Sequence, residues 1–600
     1  MLEVIVLPLL YFFFATCQGS LLALERSDVV PLSLQFSRLS VSNSDNYVTS
    51  KTISELDGDV YPLLGYHFVR REGYIVKTQH EGTVPVYVFY HPQLNDHVLA
   101  NSSFAENGYQ KLYLVGYLFV QQSNHTTPLY QYYSHKFNDH FACATSVGVK
   151  DATAAGYDCL GIIGYVLISE PISKFVTLTQ DMNGIWWLAQ GENRFMTVGV
   201  NHVNNGGMDD GVGGRESVEC QKQYLNCGDT LSFAQALGYS PYYNSTMARY
   251  GSGEKWANNT RQRLLQWNFN TISGWSATVM EQQPGLLYCH LLDIGTTWLN
   301  HSSMGDVFSQ DMRDQMYGIA AKQVAPRAND TNLIGWQFDN EFNVNQDFLS
   351  QYLSMKMSSA GEQRAVKFLQ DLYGTIQDLN KAWNINATSF DDVVNHLHDH
   401  SLNMTEYSMS MNKFTFIWAT QYFNLSSAAI WHYDSNHLLL GMRSSSQNPQ
   451  AIRAMLPYVD WVDQHMYSDL PQMNVLEEIH QATGKPVIVG EFSFTAVDSN
   501  LPNTKGARAH NPATTQDERA SLFTKFVTEL AKAKFIVGYH WWQWADEPAT
   551  GRWPDGENSN YGLVHIDDDE YHVLTNEMTR TNKAVQDLHK QLCSCCSLSR

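Results

Sequence analysis

Two glutamates at the ends of short apolar runs have the side chains needed for acid–base and nucleophilic chemistry. Glu341 ends the run LIGWQFDNE (333–341), and Glu491 lies near the end of the run PVIVGEF (486–492). Hydrolysis of a glycosidic bond needs such a pair, because one carboxyl group protonates the leaving oxygen while the other attacks or supports the oxocarbenium-like centre. The two pKa values must differ, so we expect the pKa of the acid to be raised. The pair therefore predicts cleavage of glycosidic bonds.

Motifs for the competing chemistries are missing from the sequence. No HxH or HExxH spacing suited to zinc falls at the end of an apolar run, and His398 and His400 lie in the polar stretch HLHDH, which we expect to face solvent. No phosphate-binding loop or dinucleotide fingerprint follows an apolar run. No GxSxG motif of a serine hydrolase follows one either. The sequence therefore predicts neither a metal site nor a cofactor.

The elements that must position the two glutamates follow an alternating pattern from about residue 180 to 590. Short apolar runs alternate with longer amphipathic stretches, which is typical of repeated β–α units in an α/β fold. Eight such units favour a closed parallel (β/α)8, or TIM, barrel over an open sheet. The eight runs are 195–202, 269–275, 286–294, 333–341, 438–444, 459–467, 486–492 and 536–544. The expected helices include 256–266, 304–325, 412–433 and 516–533, and the gap of about 95 residues after the fourth run must hold further helices.

The C-terminal ends of the strands form the active-site face of such a barrel, so polar and aromatic residues at those ends are candidates for the site. The fourth and seventh strands lie nearly opposite each other, which would let Glu341 and Glu491 meet in the central cleft. The candidate substrate-binding residues at the strand ends and in the loop after the eighth run are Asn340, His202, Arg443, His465, Tyr467, Trp275, Trp541, Trp544, Glu547 and Asn558.

Two of these candidates have alternative roles. His202 either contacts the substrate or is a hydrogen-bonded neighbour of the site. Arg443 braces Glu491, binds a sugar hydroxyl group, or forms a structural ion pair.

The Trp-rich eighth run and the loop after it also allow two interpretations. One of Trp541 and Trp544 is expected to stack on a sugar ring while the rest pack the barrel wall, and strand alternation would place Trp542 on the other face. Four polar residues of the loop either line a subsite or form turns, and we favour the subsite. They are Asp546, Glu547, Asn558 and Asn560.

The strand-end residues resemble those of the clan A retaining glycoside hydrolases. The resemblance rests on Asn340-Glu341 ending the fourth run, Tyr467 ending the sixth, Glu491 ending the seventh and the Trp-rich eighth run. It implies that Glu341 is the acid/base and Glu491 the nucleophile. It also implies that Asn340 binds the sugar 2-hydroxyl group and that Tyr467 hydrogen-bonds the nucleophile.

Four phrases, spread over about 400 residues, are similar to β-agarase-type and related β-galactosidase-type enzymes: GIWWLAQGENRFMTVGVNHV, WNFNTISGWS, LIGWQFDNEF and GYHWWQWADEPATGRWPDGENSNYGLV. Asn268 departs from the glycine usual in the second phrase, which affects a turn and leaves the chemistry untouched. The resemblance implies hydrolysis of a β-linked, galactose-containing polysaccharide that is agarose-like or porphyran-like. The alternatives are β-galactosidase or β-mannanase specificity, or an inactive sugar-binding barrel, against which the intact Glu341, Glu491 and Asn340 argue.

Residues 28–172 carry an all-β pattern with an internal repeat of about 45 to 50 residues. The segments SDNYV, LNDHV and FNDHF are each followed by a Gly-Tyr strand, which predicts a pseudo-threefold module such as a β-trefoil. The segments VYVFYHPQLNDH and PLYQYYSHKFNDH resemble a short tandem repeat of uncharacterised role found in secreted proteins. The repeated Asp, His and Tyr residues either bind carbohydrate or cap turns and build the core. The equivalent aspartates are Asp45, Asp96 and Asp139.

Charge and targeting signals indicate a secreted glycoprotein. The net charge of −21 disfavours nucleic acid and anionic membranes as partners, because both require a basic footprint. Residues 1–19 are interpreted as a signal peptide, although Glu3 and the lack of a basic residue depart from the usual pattern. Nine Asn-x-Ser/Thr sequons predict N-linked glycans; they begin at Asn101, Asn124, Asn244, Asn258, Asn300, Asn329, Asn386, Asn403 and Asn424.

The cysteines suggest local disulfides in an oxidising compartment. Removal of the signal with Cys17 leaves eight cysteines. The expected pairs are Cys143 with Cys159 and Cys220 with Cys227. The polar tail at 591–600 holds three more, Cys593, Cys595 and Cys596, which lack zinc-site spacing.

Overall fold

The computed structural model divides the chain into two compact units, residues 1–194 with 480–484 and residues 195–479 with 485–600. The residues whose structure is described are 28–40, 43–50, 67–104, 108–123, 125–168, 173–181, 183–205, 241–296, 304–444, 448–549, 551–552 and 556–592. The predicted signal peptide, the Cys220–Cys227 pair and the cysteines after residue 592 lie outside them.

Nine strands in three equivalent groups form the sheet of the first unit. In each group the first strand pairs antiparallel with both of the others, and β3, β6 and β9 pair with one another at the centre. The pattern confirms the predicted three-repeat β module. The strands are β1 (Val29–Ser40), β2 (Asn43–Thr49), β3 (His67–Val76), β4 (Thr83–His91), β5 (Asp96–Ala100), β6 (Gln110–Phe119), β7 (Thr126–Ser134), β8 (Asp139–Cys143) and β9 (Asp158–Leu167), with helix α1 (Ser146–Ala154) between β8 and β9.

The repeated aspartates build this module from inside. All three are fully buried, and one carboxylate oxygen of each lies within 4.8 Å of the others. Each carboxylate accepts the backbone N–H of the residue after the next repeat's aspartate: Asp45 from His97, Asp96 from His140, and Asp139 from Asn46, at 3.0, 2.7 and 3.0 Å. The repeated Asp and His residues therefore link the repeats to one another, which fits the structural rather than the sugar-binding interpretation.

The expected disulfide between Cys143 and Cys159 is wrong, because both residues are free thiols. Cys143 on β8 is the partner of Tyr130, and Cys159 on β9 is the partner of Tyr132, so the two cysteines flank β7 on opposite sides. The Cα atoms of the two cysteines are therefore separated by two strand spacings, roughly 9.6 Å. A disulfide needs Cα atoms about 4.4–6.8 Å apart.

A three-stranded antiparallel sheet follows the first sheet in the chain. It consists of β10 (Thr177–Gln180), β11 (Trp186–Gln190) and β12 (Asn193–Phe195).

The second unit is a parallel eight-stranded barrel, as predicted. Its strands run in the order β17-β16-β15-β14-β13-β20-β19-β18. The two end strands, β17 and β18, nearly close the barrel, and the His465 N–H donates to the Ser444 carbonyl between them at 2.8 Å. The strands are β13 (Thr197–Asn201), β14 (Thr271–Ser273), β15 (Leu287–Leu291), β16 (Leu333–Asn340), β17 (Leu438–Arg443), β18 (Val462–His465), β19 (Val487–Phe492) and β20 (Ile536–Trp541).

Helices follow the strands, and the long gap between β16 and β17 holds four of them, as expected. The helices described after β13 are α2 (Pro241–Tyr250), α3 (Gly253–Gln266), α4 (Thr278–Glu281), α5 (Gln310–Gln323), α6 (Phe348–Leu353), α7 (Ala360–Tyr373), α8 (Ile376–Trp383), α9 (Met404–Trp431), α10 (Pro449–Met455), α11 (Met473–Thr483), α12 (Gln516–Ala531) and α13 (His572–Gln591). The four between β16 and β17 are α6 to α9. Within the described ranges, no helix has the length and apolar character needed to cross a membrane.

Candidate active site

A residue just after the end of each of the first four barrel strands has a left-handed backbone conformation. His202, Trp275, Asp293 and Glu341 follow the ends of β13, β14, β15 and β16, and their φ angles are 53°, 59°, 48° and 50°. Non-glycine residues seldom adopt this conformation, which costs about 1–3 kcal/mol each and clusters at functional sites. These four positions therefore mark the C-terminal face of the barrel as the functional face.

Glu341 and Glu491 meet at that face. A carboxylate oxygen of each and a ring nitrogen of His465 all lie within 4.8 Å of one another. Oε1 of Glu341 lies 2.7 Å from Nδ1 of His465, and the Glu341 side chain is 32% exposed. Glu491 is buried and accepts a hydrogen bond from the Tyr467 hydroxyl group at 2.5 Å. The Glu341 carboxyl group is thus partly exposed to the cleft, whereas the Glu491 carboxyl group is buried and hydrogen-bonded to Tyr467.

Arg443 joins the residues around the nucleophile. Its guanidinium is fully buried on β17 and donates to Glu491 Oε2 at 2.9 Å, to Asn340 Oδ1 at 2.6 Å and to Asn201 Oδ1 at 2.9 Å. It also lies over the Trp275 ring. Of the alternatives for Arg443, these contacts fit the brace of Glu491. Because the Asn340 oxygen is used by Arg443, the NH2 group of Asn340 is the group left for a ligand.

The charge state of Glu341 differs from the expectation of a raised pKa. Burial favours the neutral acid, but the charge and hydrogen bond of His465, together with the Arg443 charge, outweigh burial and lower the pKa of Glu341. Burial opposes protonation of His465, yet the charges of Glu491 and Glu341 prevail and raise its pKa. Glu341 and His465 therefore each favour the charged form of the other.

An aromatic wall borders the glutamates. Trp275, Trp542 and Tyr561 form one buried cluster, with Tyr467 packed against it. His202 stacks on Trp542 with ring centroids 5.9 Å apart, and its Nδ1 lies 2.7 Å from Gln543 Oε1. Burial lowers the pKa of His202 to about 4, so its ring is neutral at higher pH.

The assignment of a sugar-stacking role to Trp541 or Trp544 does not match the structure. Both are fully buried, and their Nε1–H groups donate to the Tyr561 carbonyl and the Tyr242 hydroxyl group at 2.8 and 2.6 Å. Of the tryptophans in the eighth run, Trp542 is the one that packs with Trp275 at the site. Strand alternation does not apply to it because β20 ends at Trp541.

Glu547 contacts the wall of the site indirectly. It is buried, its Oε2 accepts from the Ser559 N–H at 2.9 Å, and its Oε1 lies 3.4 Å from Arg552. Burial raises the pKa of Glu547 well above its usual range. Arg552 in turn lies over the Trp542 ring. Glu547 therefore supports the wall through Arg552.

Asn558 and its neighbours hold the loop after the eighth strand together through backbone N–H groups. Asn558 Oδ1 accepts from the backbone N–H groups of Thr504 and Lys505 at 2.9 and 3.0 Å. Asp546 and Asn560 likewise accept backbone N–H groups, from Gly562 and Ala496. These contacts fit the turn-forming alternative, which sequence could not reveal because three of the four partners lie 53 to 64 residues away in the chain.

The trio of Glu341, His465 and Glu491 has the donor types of a metal site but poor electrostatics for one. The Arg443 guanidinium already occupies one oxygen of Glu491, and Tyr467 the other. A resident cation there would have to lie beside the guanidinium. The donors suit proton transfer instead.

Both parts of the chain match known families. Residues 304–492 match the family described as Beta-galactosidase, and residues 38–167 match a domain of unknown function, DUF5648. Beta-agarase A of Vibrio sp. (strain JT0107) is 28% identical over 385 residues, which is 59% of this chain and 38% of that protein. Beta-agarase B of the same strain is 26% identical over 395 residues, 60% of this chain and 40% of that protein. The chain thus spans about two fifths of the length of these relatives.

Two solved structures share the fold. One, described as an exo-beta-agarase, has a TM-score of 0.59 at 20% identity, and the match covers 71% of this chain and 66% of that one. An agarase has a TM-score of 0.57 at 21% identity with the same coverage. The second unit is therefore a nearly closed parallel (β/α)8, or TIM, barrel, and the chain is similar in sequence to beta-agarases and to the family described as Beta-galactosidase.

Proposed function

We propose that the barrel hydrolyses β-linked, galactose-containing polysaccharide of the agarose type, with retention of anomeric configuration. The observation that carries this proposal is the approach of Glu341 and Glu491 oxygens to within 4.8 Å. Retaining glycosidases hold their carboxyl groups about 5–5.5 Å apart, whereas inverting enzymes need about 6.5–9.5 Å to admit water. The short separation supports direct attack by a carboxylate.

In the first step Glu491 attacks the anomeric carbon and Glu341 gives its proton to the departing glycosidic oxygen. Arg443 and Tyr467 each hold one oxygen of Glu491, which favours the ionised nucleophile. In the second step Glu341 takes a proton from water, the hydroxide attacks the anomeric carbon, and Glu491 leaves as a carboxylate. We expect the Asn340 NH2 group to donate to the sugar 2-hydroxyl group.

The substrate class rests on the relatives. Two relatives are named beta-agarases, and the family matched by residues 304–492 is described as Beta-galactosidase. The family match favours β-galactosidase action on shorter galactosides as the second candidate, because fold and catalytic pair are common to both. Loops and subsites decide between a polymer and a small galactoside.

Secretion suits this substrate, because a polysaccharide gel cannot enter a cell. The exposed sequon asparagines are Asn101, Asn258, Asn329, Asn386, Asn403 and Asn424, whereas Asn244 is half-buried and Asn124 and Asn300 lie outside the described residues. We propose N-linked glycans at exposed sites. Glycosidase treatment of the secreted protein, followed by peptide mass mapping, tests this.

Hydrolysis is tested with purified protein on agarose, porphyran, galactan, mannan and aryl β-galactosides, with the anomer of the first product followed by NMR. We expect galactan-type products that appear first as the β-anomer. Glu491→Ala and Glu341→Gln should each lower kcat by about 10³-fold or more, as removal of a nucleophile or general acid does. Glu478→Gln, an exposed glutamate on α11, is the matched control.

Azide distinguishes the two roles. With an activated aryl galactoside, azide should rescue Glu491→Ala with inversion and a Glu341→Ala variant with retention, because azide replaces the nucleophile in the first and the base-assisted water in the second. Activity that survives both substitutions, or a first product of α-configuration from the unaltered protein, contradicts the proposal. Binding of agarose without turnover would instead indicate a sugar-binding barrel.

A further inference from the structure

Asp463 is a buried carboxyl group near the two glutamates that the proposed chemistry does not use. It lies on β18 two residues before His465, and residues two apart share a face of a strand. Asp463 is 2% exposed and the His465 side chain is buried. Burying a carboxyl group without a role is costly, so its contacts indicate what it does.

Asp463 contacts both sides of the site. Its Oδ1 lies 3.9 Å from Nε2 of His465 and accepts the backbone N–H of Gly490, the residue before Glu491, at 3.1 Å. A Cβ atom at position 490 would lie 2.0 Å from that oxygen, so glycine is required for this approach. One carboxylate oxygen therefore reaches the imidazole on its own strand and the strand that carries the nucleophile.

The two facing groups have few other partners. Nε2 of His465 and Oδ2 of Asp463 are buried, and neither atom forms a hydrogen bond with a described residue. Opposite charges this close interact strongly where water is excluded. The titratable and charged groups that face Asp463 or His465 from neighbouring strands are Cys289 on β15, Glu341 after β16, Arg443 on β17 and Glu491 on β19.

Burial raises the pKa of Asp463, and the positive charges of His465 and Arg443 oppose that effect. Arg443 is hydrogen-bonded to Glu491 and Asn340, whereas Nε2 of His465 lies 3.9 Å from Oδ1 of Asp463.

We infer that Asp463 is a positioning residue that keeps the catalytic proton on the His465–Glu341 pair. The inference rests on the proposed function. The pair holds one exchangeable proton, either on Nδ1 of His465 or on the Glu341 carboxyl group. In the second form His465 is neutral and keeps its Nε2 proton toward Asp463, while Glu341 can protonate the glycosidic oxygen. The water that releases the sugar returns a proton to Glu341, so protons balance over the cycle.

Asp463 therefore helps to set the pH range over which the His465–Glu341 pair keeps its proton. The negative charge of Asp463 raises the pH at which the pair loses its proton, and loss of that proton ends acid catalysis. Asp463→Asn removes the charge and keeps an oxygen for the Gly490 N–H. The basic limb of the kcat/KM profile should therefore move about one pH unit lower, as expected for loss of one charge at this distance.

The experiment compares pH profiles on an agarose-type oligosaccharide, whose leaving group needs protonation, for the unaltered protein, Asp463→Asn and Asp339→Asn. Asp339 is an equally buried barrel aspartate, but it accepts from Gly295 and Thr296 instead of facing His465. Its variant should leave the limb in place. NMR titration of labelled histidine, with the His465 signal assigned by His465→Gln, should show a lower imidazole pKa in Asp463→Asn only.

Each outcome decides the inference. A lowered limb together with a lowered imidazole pKa supports it. A limb that stays in place overturns it, whether or not the imidazole pKa moves, and so does an equal shift in Asp339→Asn. Absence of hydrolysis by the unaltered protein overturns the proposed function itself, and with it the role of Asp463. Hydrolysis with an unmoved limb overturns only the role of Asp463.

Discussion

At the scale of single residues, the arginine behind the nucleophile couples the site to the barrel. Arg443 donates to three side chains from three different strands through a rigid planar fork of N–H groups, a fixed geometry that the ammonium group of a flexible lysine lacks. The guanidinium therefore fixes the relative positions of Asn340 and Glu491. A change to lysine should disturb geometry more than charge.

We predict that Arg443→Lys lowers kcat/KM by about 10²-fold, because misplacement of a reacting group by about 1 Å has an effect of that size. The matched control is Arg519→Lys. Arg519 is equally buried but bonds the Phe494 and Gly562 carbonyl groups away from the glutamates. Both variants should lower the melting temperature, and only Arg443→Lys should lower the activity of the folded enzyme. Equal losses of activity would contradict the coupling role.

The residues of the site were predictable from sequence where a strand end fixed their place. Glu341, Glu491 and Tyr467 meet as strand position implied. Trp542 was misassigned because alternation ends with β20. The hydrogen bonds of Asn558 were not predictable because they are made to a distant loop segment. Local pattern determines which strand a residue ends, whereas loop contacts depend on tertiary packing.

At the scale of elements, all eight barrel strands fall within the predicted apolar runs, and the expected helix at 412–433 begins earlier, at Met404. The early start follows from the Asn403 cap, whose side chain accepts from the Thr405 N–H. The wrong prediction of a Cys143–Cys159 disulfide, like the missed loop contacts of Asn558, arose because the outcome depends on tertiary packing. Sequence separation suggested a local pair, but the antiparallel order placed β8 and β9 on opposite sides of β7.

The three-repeat module depends on its aspartate ring, and we predict that Asp96→Ala loosens more than one repeat. The variant removes the carboxylate that accepts the buried His140 backbone N–H and that contacts the His140 Nδ1 atom. Each buried unpaired group costs about 1–3 kcal/mol. Hydrogen exchange of the full chain should rise in peptides of both the second and third repeats, with the barrel unchanged. Asp158→Ala, at an exposed position, is the control. A rise confined to residues next to 96 would contradict the ring.

At the scale of the whole molecule, the barrel buries titratable groups whose effects on stability oppose each other. Burial lowers the pKa of His540 to about 3 and raises those of Asp339 and Asp546 to about 6 and about 7. A histidine with a depressed pKa destabilises the fold as pH falls below its unfolded value of about 6.5. The raised aspartates destabilise it as pH rises above their unfolded value of about 3.9. Between about pH 4 and 6 the two aspartates together outweigh the one histidine, so a single substitution is needed to isolate one group.

His540→Phe isolates the histidine. The ring fits against Gly199, where a Cβ atom would lie 2.4 Å from the imidazole, and its Nε2 lies 2.8 Å from the Thr197 hydroxyl group. Loss of that bond should lower the unfolding free energy at pH 7.5 by about 1 kcal/mol. Below pH 6.5 the unaltered protein loses about 1.4 kcal/mol per pH unit through His540 and the variant does not, so the difference should reverse at about pH 5.8. Denaturant titrations from pH 4.5 to 7.5 measure it, with the exposed His432→Gln as control. A difference that stays constant with pH would mean that His540 is protonated equally in the folded and unfolded chain, and burial would then not set its charge.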